Sequence, residues 1–236
     1  MQPYPVTAED GCFILKMEYK ITALKAQKRN PNRVNLYLDG EFAFGLSRIV
    51  AAWLSVGQFL GDERIQELQR QDADEVAFQS ALHYLNYRAR TETEIRKHLV
   101  EKGFSEQAVE TVAQRLQQGH LLDDQQFAHD WVENQNTFRP RGRRALAFEL
   151  RHKGVSDEII EQTLADSKDE EDLAYQAAVR HAGRLSGLEW QDFRLKLGQF
   201  LARRGFGYDT ISTTVQRVWA EQGSSQAQND EDTNGE

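Results

Sequence analysis

From about residue 74 onwards, the chain repeats one pattern of apolar and polar positions at an interval of 51 residues. Gly103, Gly154 and Gly205 mark the register, and each follows a basic residue and precedes an apolar one. Apolar side chains recur at the same interval around these glycines: Ile95, Leu146 and Leu197; Leu99, Leu150 and Leu201; Val109, Ile160 and Ile211. Because a glycine triple coincides with several apolar triples, the pattern indicates three tandem copies of one unit.

Within each copy, the apolar residues have the spacing of an α-helix. Ile95 and Leu99 lie four residues apart and share a helix face, and Thr91 with Glu94 forms a capping box. Each glycine is typical of the left-handed residue that ends a helix. Three helices per copy are predicted, over 74–87, 91–102 and 105–118; 124–136, 141–153 and 156–165; and 170–182, 189–204 and 207–220. Three such units in tandem predict a curved rod on the order of 60 Å long.

The segment before the repeats has the alternation of β-strands instead. Apolar residues alternate over 34–38 and over 42–46, and the Asp39-Gly40 dipeptide between them is typical of a tight hairpin turn. Residues 19–23 alternate in the same way, so a β-hairpin or a three-stranded element is predicted. Two further short helices are predicted before the first repeat, from Ser47 to Trp53 and over 62–70.

These patterns predict a mainly α-helical chain with a defined order of parts. The parts are a disordered segment 1–15, an N-terminal β-hairpin with short helices over 16–72, three-helix repeats over 73–122, 123–168 and 169–222, and an acidic tail over 223–236. The tail has no large apolar side chain, so burial cannot offset the entropy of ordering it. We therefore expect the tail to be disordered.

Composition narrows the class of protein. The net charge of −8 argues against a chain whose whole surface wraps nucleic acid. The single cysteine excludes an internal disulfide and favours a reducing cytoplasm. No apolar run is long enough to cross a membrane, and the first residues lack the layout of a signal peptide. A cytoplasmic protein without a membrane span is predicted.

No set of residues points to catalysis or to a cofactor. The chain lacks the GxxxxGK[ST] loop that cradles nucleotide phosphates, and its six histidines are scattered with no second cysteine beside them. The Asp123-Asp124 pair precedes a predicted helix and is better suited to capping it than to binding a metal. We expect no catalytic residues, no metal and no cofactor.

Basic residues are concentrated at the start of the second helix in the first two copies. Cations there gain nothing from the helix dipole, and guanidinium groups suit carboxylates or phosphates, so an external anionic partner is indicated. The alternative is a solvated arginine face, or internal ion pairs with acidic helices. The candidate partner-binding residues of this group are Arg88, Arg90, Arg139, Arg141, Arg143 and Arg144. The third copy has Trp190 and Asp192 at the corresponding positions, so its second helix is not expected to start in the same way.

A second concentration of basic residues lies in and beside the loop that follows residues 19–23. Between residues 16 and 48 there are seven basic residues and three acidic ones. The candidate binding residues of this group are Lys25, Lys28, Arg29 and Arg33. Charged loops also protect strand edges against aggregation, and that alternative remains open.

Several of these motifs occur in one known family. The motifs are Arg88-Ala89-Arg90-Thr91, Glu94-Ile95, Lys102-Gly103-Phe104, Leu121-Leu122-Asp123-Asp124, Arg139-Pro140-Arg141-Gly142 and Lys153-Gly154-Val155. Together they resemble the RecX family of recombination regulators, and the likeness extends over about residues 16 to 220. The resemblance implies a bacterial cytoplasmic protein that binds the RecA recombinase in the groove of its filament on single-stranded DNA. It also implies suppression of the ATPase, strand-exchange and coprotease activities of that filament.

Two hypotheses about function remain open on the sequence. In the first, a non-enzymatic, monomeric modulator engages a recombinase filament, and its arginines meet acidic protein surface or DNA phosphates. In the second, the chain is an autonomous helix-turn-helix-like nucleic-acid-binding protein. The net charge of −8 counts against the second, because neutralisation of phosphates supplies most non-specific affinity for DNA.

Overall fold

The computed structural model describes residues 18–233 of the chain, with side chains described over 18–222. The predicted disorder of residues 1–15 lies outside the described residues. Within them the fold is mainly helical with a small N-terminal sheet, as predicted. The packing divides the chain into two compact units. One comprises the described residues up to Leu82 together with Gly103–Val112, and the other comprises His83–Lys102 and the residues from Ala113 onwards.

The sheet is antiparallel and has the strand order β3-β2-β1-β4. Its strands are β1 (Glu18–Ala26), β2 (Arg33–Leu38), β3 (Glu41–Ser47) and β4 (Phe59–Gly61). The predicted hairpin is confirmed as β2 and β3, and Asp39 and Gly40 both have the positive φ that its turn requires. The sheet has one strand more than predicted, because β4 is three residues long and too short to show an alternation. Ile21, Leu36 and Leu46 are fully buried beneath it.

The described helices follow the predicted order. They are α1 (Arg48–Ala51), α2 (Asp62–Leu85), α3 (Glu92–Glu101), α4 (Glu106–Gln118), α5 (Asp124–Phe138), α6 (Arg143–His152), α7 (Asp157–Ala165), α8 (Glu170–Ala182), α9 (Trp190–Arg203) and α10 (Tyr208–Thr233). A short 3-10 turn, Gly183–Leu185, follows α8. The three-helix composition of each repeat is therefore confirmed.

Two helices are longer than predicted. The predicted helices over 62–70 and 74–87 are one continuous α2, because the residues between them include neither proline nor glycine. The proposed boundary between 72 and 73 therefore falls within a helix. The backbone of α10 is helical to Thr233, which differs from the disorder predicted over 223–236. Adding residues to an existing helix needs no new nucleation, so the backbone of α10 continues beyond its predicted end at residue 220.

The helix ends show why the repeats share a register. Thr91 and Glu94 form the predicted capping box at the start of α3, with both hydrogen bonds present. Gly103, Gly154 and Gly205 have φ of +85°, +82° and +84°, the left-handed conformation predicted for helix-ending glycines. The shared register therefore extends from sequence to backbone conformation.

The third repeat differs at the start of its second helix. Helix α9 has 14 residues, whereas α3 and α6 have 10 each. Its additional turn lies at the N-terminus, where Glu189 is the N-cap. Trp190 and Asp192 therefore lie inside the helix, and Trp190 packs on the core of this repeat. This explains why the third copy lacks the arginines of the other two.

Candidate functional site

The second helices of the first two repeats meet end to end at what we call the first joint. There the N-terminus of α3 contacts the C-terminus of α6. The Oγ1 of Thr91 donates to the carbonyl of Lys153 at 2.6 Å, and the Oγ1 of Thr93 donates to the carbonyl of Gly154 at 3.1 Å. A Cβ at Gly154 would overlap the side chain of Thr93, so glycine also permits this close approach.

The corresponding ends of α6 and α9 meet at the second joint. The backbone N–H of Gly142 donates to the carbonyl of Arg204 at 2.9 Å, and the Nη1 of Arg204 donates to the carbonyl of Pro140 at 3.0 Å. A Cβ at Gly142 would overlap the backbone of Gly205. Since the segment with Arg139 and Arg141 surrounds Pro140 and Gly142, those arginines lie at a junction between two repeats.

An acidic residue completes each joint in the same way. The Oδ1 of Asp124 accepts the backbone N–H of Glu92 at 2.8 Å, and the Oε1 of Glu170 accepts the backbone N–H of Arg143 at 3.2 Å. In each case, the first residue of one repeat's first helix caps the second helix of the preceding repeat. Asp123 caps its own helix α5, as predicted, through the N–H of Gln126.

The predicted arginines at the first joint are balanced by an acidic residue. Arg88 donates to both carboxylate oxygens of Glu94, at 2.7 Å and 3.1 Å. Burial alone would raise the pKa of Glu94, but hydrogen bonds and charge from Arg88, with the charge of Lys153, lower it below the ordinary value. The guanidinium of Arg90 stacks 4.0 Å from the ring centre of Tyr84. The guanidinium groups of Arg88 and Arg90 are therefore already engaged by side chains of the protein itself.

The predicted arginines at the second joint are balanced much less. Arg141 forms an ion pair with Glu149. Arg139, Arg143 and Arg144 are exposed, and none of their guanidinium groups forms an ion pair within the described residues. The residue that corresponds to Glu94 at the repeat interval is Ala145, so the acid that neutralises the first joint is missing here.

The structure brings further arginines to the second joint that sequence reasoning did not select. His181 stacks on Phe200 with ring centres 3.8 Å apart, and Arg204 lies 4.6 Å from the centre of the same ring. Burial, and then the charges of Arg141, Arg139 and Arg180, lower the pKa of Arg204. The signal that could have found these residues is the doubled cation before the third glycine, Arg203-Arg204, where the other copies have one.

The N-terminal cations are divided between structural and exposed positions. Arg33 forms an ion pair with Asp72 at 2.8 Å and donates to the carbonyl of Gly45 at 2.9 Å, so it holds the sheet to α2. Lys25 lies over the ring of Tyr37 at 4.8 Å. Lys28 and Arg29 are exposed in the loop between β1 and β2. Of the four predicted residues, Lys28 and Arg29 are therefore the two whose charged groups have no partner among the described residues.

The described part of the chain contains no group of three or more histidine, cysteine or acidic residues that could hold a metal. Likewise, none of the helices in residues 18–233 is both long and apolar enough to span a membrane.

Four family models match successive parts of the chain. They are the regulatory protein RecX N-terminal domain over residues 19–60 and the RecX first, second and third three-helix domains over 77–116, 123–164 and 169–215. The matches follow the sheet and the three repeats in order.

Curated relatives and solved structures agree with these matches. Regulatory protein RecX of Bacillus licheniformis is 33% identical over 84% of this chain and 77% of its own. The Clostridium perfringens protein of the same name is 32% identical over 84% and 96%. A crystal structure of regulatory protein RecX has a TM-score of 0.69 at 28% identity, covering 83% of this chain and 98% of that one. A structure of RecX from Lactobacillus salivarius has a TM-score of 0.58 at 26% identity, over 63% and 97%. Since one family accounts for the sheet and the three repeats in order, this chain belongs to the RecX family.

Proposed function

We propose that the protein is a negative regulator of a RecA-type recombinase, acting in recombination, DNA repair and the SOS response of the bacterial cytoplasm. It binds the filament that the recombinase forms on single-stranded DNA and inhibits its ATPase, strand-exchange and coprotease activities. It performs no reaction of its own and acts as a monomer.

One observation carries this proposal: the second joint presents unbalanced positive charge on a chain whose net charge is −8. Positive charge confined to one region of an acidic chain favours a specific anionic partner over general binding to nucleic acid. A recombinase filament on DNA offers both phosphates and acidic protein surface. The regulatory role of the RecX family supports a partner of this kind.

The proposal is tested by measuring recombinase ATP turnover on single-stranded DNA while this protein is titrated in. Wild-type protein should lower the turnover. The triple variant Arg139→Ala, Arg143→Ala and Arg144→Ala should inhibit at least about tenfold less strongly, because each exposed guanidinium contributes a charge-assisted contact. Its thermal melting should stay close to that of the wild type, since these exposed side chains contribute little to stability.

A matched control removes the same charge elsewhere. The variant Arg64→Ala, Lys168→Ala and Lys196→Ala also loses three exposed cations, and it should inhibit as the wild type does. If both triple variants inhibit equally, the second joint is not the binding surface. If wild-type protein leaves ATP turnover unchanged, the proposed function itself is wrong.

The second candidate function is autonomous nucleic-acid binding by the three-helix units. It predicts tight binding to DNA without recombinase at physiological salt, with a steep dependence on salt. A salt-titrated binding measurement with the isolated protein decides between the two candidates.

A further inference from the structure

The second joint combines groups from three segments of the chain in one place. The carbonyl of Pro140 binds Arg204, Arg204 stacks on Phe200, and Phe200 stacks on His181. These contacts bring together the segment before α6, the end of α9 and the end of α8. His181 therefore lies close to the arginines of the second joint, although it is about 40 residues from Arg139 and Arg141 in the sequence.

The charges around this histidine are all of one sign. Burial, and then the charges of Arg184, Arg204 and Arg203, lower the pKa of His181. Arg184 lies in the turn that follows α8, and the other two end α9, so cations face the imidazole from both elements. The free protein therefore favours the neutral imidazole at neutral pH.

The first joint has a similar stack but a different charge balance. His98 stacks on Tyr84 with ring centres 4.0 Å apart, and Arg90 lies 4.0 Å from the same ring. Glu101 opposes the cations that act on His98, and Glu94 pairs with Arg88. Glu149 pairs with Arg141 at the second joint, but no described acidic residue opposes the cations that act on His181, whereas Glu101 opposes those that act on His98.

We propose that the second joint binds the phosphodiester backbone of a single-stranded nucleic acid, and that binding is coupled to uptake of a proton by His181. This inference deepens the proposed function by naming the partner of that surface, and it rests on that function. Phosphates would neutralise the surrounding guanidinium groups and so reduce the repulsion that, after burial, lowers the pKa of His181. A group that gains a proton on binding makes affinity rise as pH falls.

Phosphate fits this cluster better than the carboxylates of an acidic protein surface. Arginines from the segment before α6, from the end of α8 and from the end of α9 act on Arg204 and His181, and among these arginines Glu149 pairs with Arg141 alone. A nucleic-acid backbone presents charge at regular, short spacing and releases counterions when several cations are neutralised together. A protein surface with scattered carboxylates matches fewer of these cations at once.

The test follows the imidazole resonances of the full chain by NMR over a pH titration, with and without a single-stranded oligothymidylate at low salt. The oligonucleotide should move the titration midpoint of His181 upward by about half a pH unit or more, and that of His98 by clearly less. Binding of the oligonucleotide should be about twofold tighter near pH 6 than near pH 7.5. In His181→Phe, which keeps the stack on Phe200, this pH dependence should disappear while binding at the higher pH remains.

Polyglutamate of similar length serves as the carboxylate probe. If it moves the His181 midpoint as far as the oligonucleotide does, the site takes acidic protein and the inference is wrong. It is also wrong if the oligonucleotide leaves His181 unmoved, or if His181→Phe keeps the full pH dependence.

The recombinase assay judges the proposed function separately. Inhibition of ATP turnover without oligonucleotide binding overturns this inference and leaves the proposed function in place. Oligonucleotide binding that is coupled to His181, without inhibition of ATP turnover, overturns the proposed function and leaves the second joint as a phosphate-binding site.

Discussion

The three repeat glycines share one backbone conformation but differ in their surroundings. All have positive φ, yet a Cβ at Gly154 would overlap Thr93, whereas a Cβ at Gly103 would meet nothing within 4 Å among the described residues. Gly103 ends a helix, whereas Gly154 ends a helix and also lets two repeats approach each other closely. The sequence predicts the helix-ending role from residue type alone. The role at the joint depends on which segment of the chain lies opposite the glycine.

Substitution by alanine separates the two roles. Gly103→Ala should cost about 1 kcal/mol, the strain of a left-handed alanine, whereas Gly154→Ala should cost roughly 1 to 3 kcal/mol more because Thr93 must move. Urea unfolding of the two variants measures the difference. Equal losses in unfolding free energy would mean that the first joint contributes nothing to stability.

Asp124 shows how charge and capping compete at a single residue. Burial, and then the charges of Glu92, Asp123 and Glu94, raise its pKa, against the opposing hydrogen bond from the N–H of Glu92. Since the folded pKa lies above the unfolded one, protonation favours the folded state. The ionised carboxylate therefore lowers stability at neutral pH, and this penalty diminishes as pH falls through the folded pKa towards 3.8.

We expect Asp124→Asn to melt at the same temperature as the wild type or higher at pH about 7, because the amide oxygen keeps the cap without the charge. The difference should shrink as the pH falls through the raised pKa of Asp124, because the carboxylate then becomes protonated and loses its charge. Asp124→Ala should melt lower, since the N–H of Glu92 loses its acceptor. Thermal melts across this pH range measure the effect, and a melting temperature of the Asn variant below that of Ala would contradict it.

At the scale of the elements, local signals predicted what depends on neighbours in sequence. The capping box, the glycine ends and the Asp39-Gly40 turn each involve residues a few positions apart, and each is confirmed. The additional N-terminal turn of α9 lies within the helix predicted over 189–204, and Trp190 packs there on the core of the third repeat. The joints were not predicted, because they depend on contacts between distant segments: Asp124 caps a helix 32 residues earlier.

Helix α6 offers a direct test of the core assignment. Leu150 is fully buried among α5, α6 and α7, so Leu150→Asp would bury an unpaired carboxylate and should cost at least about 3 kcal/mol. Phe148 lies on the same helix but is 71% exposed, so Phe148→Asp should be tolerated. Circular dichroism during urea unfolding compares the two. If Leu150→Asp unfolds no earlier than Phe148→Asp, the assigned core face of α6 is wrong.

At the scale of the whole molecule, the sequence predicted where the cations are but not which of them remain available. Arg139, Arg143 and Arg144 are exposed, whereas Arg88 and Arg33 are held in ion pairs with Glu94 and Asp72. A sequence shows each charge, but its partner comes from another element or another repeat. For the same reason, Arg204 of the third repeat joined the candidate site only once the structure placed it beside Pro140.

Because both joints use equivalent positions and run in the same direction along the chain, each repeat presents the same kind of helix end to its neighbour. Nothing in such a connection fixes the number of modules. Inserting or removing one complete copy between matching helix ends would leave each remaining contact with a partner of the same kind. Members of the family could therefore gain or lose a module in evolution without redesigning the interfaces that remain.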